Sequence, residues 1–345
     1  MRSRLLAWYD REGRDLPWRR SRDPYAIWVS EVMLQQTRVE TVIPYYERFL
    51  ARFPTPEALA TADEDAVLSH WSGLGYYRRA RLLHRGAKEV VAAYGGVVPE
   101  DAAARLALPG VGRYTAGAIG SIAYDKQEPV VDGNVSRVLA RLFRIETPLG
   151  ATTTTKRLWE EAGRLVVGQR PGDLNQALME LGATVCVPRN PRCESCPVCA
   201  QCEARAHGDQ NRLPIKAARK APVEVRLCTV VATTGRGHDR QVWLTKGNDA
   251  LFGGLWGPPT DPVDPRAALR HAGLRATLQP EPIAELEHVL THRKLQVAIY
   301  RATATRPTTT TTTSQPFHPE TLHTVGLSTL TRKVLEKGTV PFSAG

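Results

Sequence analysis

The chain has 345 residues and 46 Lys and Arg against 35 Asp and Glu, a formal net charge of +11. That length allows two domains with separate cores, and the charge favours a polyanionic partner, either nucleic acid or an anionic membrane surface. No apolar run approaches the roughly 18 residues that a spanning helix needs. Met1–Asp10 holds two Arg and no signal-peptide core, so nothing directs export and a cytoplasmic protein is expected.

From Leu5 to about Arg205 the pattern is helical. Val39, Val42, Ile43, Tyr46, Phe49 and Leu50 keep a helical period, with Pro44 implying a restart or kink. Thr152–Thr155 reads as an exposed loop, as does the run Thr308–Thr313. Val135, Val138, Leu139, Leu142 and Phe143 follow the turn Asp132-Gly133-Asn134, and Ala177, Leu178, Leu181 and Val185 lead a last helix into five of the six cysteines. Residues 1–211 are therefore expected as an all-α domain. Basic residues and two prolines make 212–226 a linker. The rest, 227–345, changes texture to α+β: strands at Leu227–Ala232 and Gln241–Thr245 around a Gly235–Gly237 turn, another at Leu295–Ala302, and helices at Pro265–His271 and Thr329–Glu336.

Four pieces carry chemistry. In Leu108-Pro-Gly-Val-Gly-Arg-Tyr-Thr-Ala-Gly117, Pro109 ends one helix, and Gly110 and Gly112 allow a tight turn before a second helix over Thr115–Ile122. Such a turn presents amide N–H groups to a phosphate oxygen. In Val130-Val-Asp-Gly-Asn-Val135, Asp132 suits a helix N-cap, where a carboxylate stays ionised with its orientation fixed. Glu31 in Ser30-Glu-Val-Met-Leu-Gln-Gln-Thr37 stands among Trp28, Val29, Val32, Met33 and Leu34. Apolar neighbours raise a carboxyl pKa toward that of a general acid working near neutrality. Cys186, Cys193, Cys196 and Cys202 form a tight metal-type cluster rather than a dispersed disulfide framework, and the spacing alone suits zinc as well as an iron–sulfur centre.

Together these segments resemble the helix–hairpin–helix DNA glycosylases, and Ser30–Thr37 with Trp71-Ser-Gly-Leu-Gly-Tyr-Tyr77 resembles the MutY-type adenine glycosylases in particular. The resemblance implies a [4Fe-4S] cluster on Cys186, Cys193, Cys196 and Cys202, bracing a basic loop (Arg189, Arg192) against DNA, with Cys199 outside the ligand set. It implies Glu31 as the acid that protonates adenine, Asp132 as the carboxylate that stabilises the sugar cation, and Tyr114 and Asn134 as groups orienting Asp132. Gln36, Leu74 and Tyr76 are expected to enter the duplex, with Gly110 and Gly112 on its backbone and Trp18 and Leu34 as walls of the adenine pocket. In endonuclease III, the close competitor, the Tyr114 position holds a lysine that forms a Schiff base; tyrosine cannot, and Lys126 lies outside the motif.

The C-terminal part adds Leu251-Phe-Gly-Gly-Leu-Trp-Gly-Pro258, which resembles the Nudix-like domain of MutY. Ala267, Arg270 and His271 stand where a Nudix hydrolase needs glutamates, so this domain is expected to bind rather than to hydrolyse. Leu290-Thr291-His292 takes the place of the segment that inspects the oxidised guanine, with Thr291 and His292 toward DNA. The expected protein is a monomeric, monofunctional glycosylase that removes adenine opposite 8-oxoguanine or guanine in double-stranded DNA, nucleoid-associated and independent of membranes. The alternatives are an endonuclease III-like bifunctional pyrimidine glycosylase/lyase and a non-catalytic iron–sulfur DNA-binding protein.

Overall fold

A computed structural model describes residues 1–216, 221–247, 252–305 and 313–340. Residues 217–220 of the expected linker, Leu251 and Thr308–Thr312 lie outside them. The chain forms two compact units: Met1–Ala60 with Arg85–Arg219, and Thr61–His84 with Lys220–Gly345. A single linker at 212–226 does not describe this division, because the first strand begins at Val223 and the 61–84 segment packs with the C-terminal unit. The hydroxyls of Ser72 and Tyr77 each donate to the Leu327 carbonyl at 2.9 Å, and Asp65 accepts from Lys246 Nζ at 2.9 Å and Trp256 Nε1 at 3.3 Å.

The first unit is all-α among its described residues. Its helix Pro24–Leu34 starts from Asp23, whose side chain accepts from the Tyr25 amide, with Pro24 at the first position. Every residue from Tyr25 to Met33 is buried, the pattern of a helix enclosed on all sides. Glu31 is carried into the interior by that enclosure. Helix Val39–Arg52 passes through Pro44 without a restart, since a proline in the second turn removes one hydrogen bond while the rest of the helix holds. Thr152–Thr155 is not a loop but the first turn of helix Thr152–Val166, where buried Thr154 meets Thr147 through their hydroxyls at 2.6 Å.

The hairpin joins helices Ala102–Ala107 and Arg113–Tyr124. Gly110 has φ +79°, which requires glycine, whereas Gly112 has an ordinary φ of −94° and open space beside it. Arg105 fastens the hairpin from inside: fully buried, it donates to Ala116 O at 3.1 Å and to both Glu128 oxygens at 2.5 and 2.7 Å. Asn175 holds the same segment by donating to Ser121 Oγ and Glu128 O, both at 2.8 Å. The backbone leading to Asp132 is thereby pinned to two helices.

The second unit is α+β. Its strands are β1 (Val223–Thr234), β2 (Gln241–Lys246), β3 (Trp256–Gly257), β4 (Thr260–Asp261), β5 (Ala276–Leu278), β6 (Ala284–Val289), β7 (Arg293–Ala304) and β8 (Ser314–Phe317). The main order is β3-β2-β1-β7-β5, with β4 on β1, β6 on β7 and β8 on β2. The expected β1–β2 hairpin is present, and β1 runs parallel to β7 from Val223↔Arg293 to Thr233↔Thr303. Alternation along β7 buries Leu295, Val297 and Ile299 against helix Thr329–Lys337, while Ala302 and Ala304 face helix Pro265–His271. In that second helix His271 lies 3.6 Å from Asp261 and Arg270 pairs with Asp264 at 3.2 Å.

Candidate active site and cysteine cavity

A cavity of about 700 Å³ opens in the first unit. Glu31, Tyr114, Asp132, Asn134, Gly110, Gly112, Gln36, Trp18 and Leu34 all line it, although they come from four separate stretches of chain. Helix Pro24–Leu34 delivers Glu31, helix Arg113–Tyr124 delivers Tyr114 from its first turn, and helix Gly133–Leu142 is capped by Asp132.

Glu31 is 4 % exposed. Burial pushes its carboxyl up to about 7; the Tyr114 hydroxyl pulls it down, Asp132 pushes it further up and Arg19 pulls it down. Tyr114 Oη donates to Glu31 Oε2 at 2.5 Å, a charge-assisted contact when Glu31 is ionised. Tyr114 therefore serves Glu31 rather than Asp132, which corrects the expected pairing: the first turn of its helix aims the ring at the neighbouring helix. Its own phenol is pushed well above the ordinary range, chiefly by burial and then by both carboxylates.

Asp132 caps its helix by accepting from Val135 N at 2.6 Å, while Asn134 Nδ2 donates to its other oxygen at 3.2 Å. Burial raises its pKa, and the Val135 and Asn134 contacts oppose that rise. Asn134 is in turn fixed by Arg137, whose Nη2 donates to Asn134 Oδ1 at 2.9 Å and to Gly182 O at 2.6 Å, and whose Nε donates to Cys186 O at 2.7 Å.

A third carboxylate on the same cavity has no counterpart in the sequence reading. Glu180 is 1 % exposed and is held by Arg14 at 2.6 Å and Arg19 at 2.7 Å. Burial alone pushes Glu180 up, but the two guanidinium groups outweigh it and hold the carboxyl below its ordinary value. The available signal was a lone acid inside the apolar run Ala177-Leu-Met-Glu-Leu181, the same signal that marks Glu31. Trp18, 7 % exposed, meets Tyr46 edge-on at 5.5 Å between centroids.

The two expected wedge positions in the second unit differ. Leu74 is buried at 6 % exposure, packed inside a turn closed by Leu74 N to Trp71 O, and is not presented for insertion. Tyr76 is 45 % exposed with φ +49°, and its hydroxyl lies 2.6 Å from Thr291 Oγ1. Thr291 and His292 are exposed in the tight turn between β6 and β7. Gln36, in the first unit, is likewise exposed with a left-handed φ of +58°. Lys126 is paired with Glu100 at 2.6 Å and does not line the cavity.

Cys186, Cys193, Cys196, Cys199 and Cys202 line one further cavity of the first unit. Among the described residues, no three His, Cys, Asp or Glu side chains are grouped as a single metal ion requires. Five thiols round one cavity are a donor set that both an iron–sulfur cluster and a zinc ion use. Buried Arg141 faces this loop, donating to Cys186 Sγ at 3.3 Å and to Val187 O at 2.8 Å. Arg189 and Arg192 are exposed, and Arg192 also lines the cavity. Among the described residues no helix is long and apolar enough to cross a membrane.

Residues 29–163 match the HhH-GPD superfamily of base excision DNA repair proteins. The chain is 39 % identical over 398 residues to a human adenine DNA glycosylase, with 96 % of this chain and 73 % of that protein covered. It is 40 % identical to a rat adenine DNA glycosylase, covering 87 % of this chain and 69 % of that one. Among solved structures, a thermostable thymine-DNA glycosylase is similar at 33 % identity and a TM-score of 0.54, over 60 % of this chain and 95 % of that one.

Proposed function

The chain belongs to the adenine DNA glycosylases of the HhH-GPD superfamily, and we propose that it excises adenine mispaired with 8-oxoguanine or guanine, by hydrolysis and without strand cleavage. The observation that carries the chemistry is Glu31: a buried carboxyl with a pKa of about 7, held by Tyr114, on a cavity that also holds Asp132.

A flipped adenine enters this cavity after leaving the stack, a cost of a few kcal/mol that a mispair reduces. Trp18 and Leu34 supply apolar wall, and the base meets Arg14, Arg19 and Glu180 on the same lining. Adenine is a poor leaving group as an anion. Glu31, about half protonated at neutral pH, delivers a proton to a ring nitrogen, N7, so that the base departs neutral. The sugar left behind has oxocarbenium character. Asp132 stabilises it with a carboxylate fixed by Val135 and Asn134, the division of labour between one protonated and one ionised carboxyl seen in glycoside hydrolysis. Glu31, now ionised and still bonded to Tyr114, takes a proton from the attacking water. Tyr114 offers no amine for an imine, and Lys126 is engaged by Glu100.

Cys186, Cys193, Cys196 and Cys202 would hold a [4Fe-4S] cluster, which when bound cross-links the loop and takes no part in bond breaking. The same residues fix Arg189 and Arg192 on an exposed surface suited to phosphates. In the second, Nudix-like unit, Thr291 and His292 are proposed to read the opposing base beside Tyr76. The substrate is intracellular double-stranded DNA.

The test is a single-turnover assay on duplexes with adenine opposite 8-oxoguanine, adenine opposite guanine, thymine opposite guanine and thymine glycol, each read with and without alkali. Breaks at adenine that need alkali, fastest opposite 8-oxoguanine, are expected. Alkali-independent breaks at thymine glycol would instead place the chain with bifunctional pyrimidine enzymes.

A further inference from the structure

A cubane cluster takes four thiolates, and the cavity presents five. The backbone explains why. The Cys196 amide bonds the Cys193 carbonyl, Cys199 the Cys196 carbonyl and Cys202 the Cys199 carbonyl, each at 3.2 Å. Two short 3₁₀ turns, Cys193–Ser195 and Cys199–Gln201, lie within this run. Each bond of this kind closes one three-residue turn. Cys196, between the two turns, has extended backbone (φ −80°, ψ 122°), so the run is a string of separate turns and not one helix. It brings Cys193, Cys196, Cys199 and Cys202 to the same cavity. Cys186 comes from a separate stretch, just past the end of helix Pro171–Thr184, where Arg141 holds its sulfur.

The run and Cys186 together hold one thiol more than the cluster needs. The expected ligand set skips Cys199, which lines the same cavity as Cys196 and Cys202 and whose carbonyl accepts from the Cys202 amide. We propose that Cys199 is a reserve ligand, able to take the coordination position of Cys202 when that thiol is lost. One iron–sulfur bond to Cys199 then replaces the one lost to Cys202, the Cys199 proton passes to water, and no electron changes hands. Cys186 has no such substitute, because among the thiols of this cavity it alone comes from outside the 193–202 run. The inference rests on the cluster assignment made above.

The test compares iron and acid-labile sulfide in the purified wild-type chain and in the variants Cys199→Ser, Cys202→Ser, Cys202→Ser with Cys199→Ser, and Cys186→Ser. Each chain is also alkylated with iodoacetamide under native conditions, and the labelled cysteines are located by mass spectrometry. Wild type and Cys199→Ser should carry equal clusters, and Cys202→Ser at least roughly half as much, whereas the double variant and Cys186→Ser should fall about tenfold or more. Cys199 should label in the wild-type chain and become protected in Cys202→Ser, a readout that poor folding cannot produce because unfolding exposes thiols. A loaded wild type beside a Cys202→Ser chain that is empty, with Cys199 freely labelled, would overturn the reserve role. A wild-type chain holding zinc, or no iron, would instead overturn the cluster assignment itself.

Discussion

Replacing Glu31 with Gln removes an acid while keeping its volume and an oxygen to accept from Tyr114. The carboxyl has an ordinary value of 4.5 and stands at about 7 in the fold, mainly through burial. A folded-state pKa raised above the unfolded one means that the native chain holds the proton more tightly. Glu31's contribution to stability is therefore fully present below pH 4.5 and is lost as pH rises through about 7. At 1.36 kcal/mol per unit, the shift amounts to about 3 kcal/mol of destabilisation once the group is ionised in both states. The amide carries no such penalty. Urea unfolding at about pH 8.5 should find Glu31→Gln more stable than wild type by up to about 3 kcal/mol, and at about pH 5 by under about 1 kcal/mol. The same variant should bind mispaired DNA and fail to excise adenine. An equal stability change at both pH values, or none at the higher one, would show that Glu31 is not held as an unfavourable buried charge. The general-acid assignment would then lose its basis.

Two further outcomes follow from the same contacts. Tyr114→Phe removes the hydrogen bond that lowers the Glu31 pKa, so the alkaline limb of the single-turnover rate profile should move to higher pH. A bond to a charged group is worth roughly 1.5–3 kcal/mol, which corresponds to about one to two pH units; a limb that stays put or moves to lower pH would contradict the pairing. Thr291→Val removes the partner of the Tyr76 hydroxyl at a solvent-exposed contact. It should slow excision opposite 8-oxoguanine about two- to tenfold while leaving chain stability within about 0.5 kcal/mol, compared by parallel single-turnover and unfolding measurements.

What the sequence disclosed depended on how local the cause was. Glu31 stood out because its apolar neighbours lie within the same helical turns, and Asp132 because an N-cap is recognisable from the residues that follow it. The Glu31–Tyr114 bond joins positions 83 residues apart, and only packing of their helices decides that Tyr114 meets Glu31 and not Asp132. Glu180 carried the same local signal as Glu31 but was lost in a helix read only for its hydrophobic period. Its partners Arg14 and Arg19 sit in a charged stretch that looks like surface. In the second unit the long strands and both larger helices were legible. Strands β3 and β4 have two residues each, too few for any alternation to register. The allegiance of Thr61–His84 to that unit rests on hydroxyl and carboxylate contacts across roughly 180 to 260 residues of sequence, which no local pattern reports.

The placing of Tyr114 does more than leave out a lyase amine. A hydroxyl donor against a carboxyl interacts more strongly with the ionised form than with the neutral one. In the resting site, burial and Asp132 oppose ionisation of Glu31 and favour its protonated form. In the proposed mechanism, as that proton moves to the departing base, negative charge grows on the oxygen that Tyr114 already faces at 2.5 Å. The bond therefore strengthens along the reaction coordinate, an interaction realised more fully in the transition state than in the ground state. Asp132 works in the same direction at the other end of the transfer: its charge discourages a carboxylate at Glu31 beforehand and is satisfied by the sugar cation afterwards. Burial raises the acid's pKa, Tyr114 sets how far, and Asp132 gains a counter-charge only when the bond breaks. Glu31 is thus reluctant to ionise in the free enzyme and able to ionise during the reaction, which a solvent-exposed pair of carboxylates could not achieve.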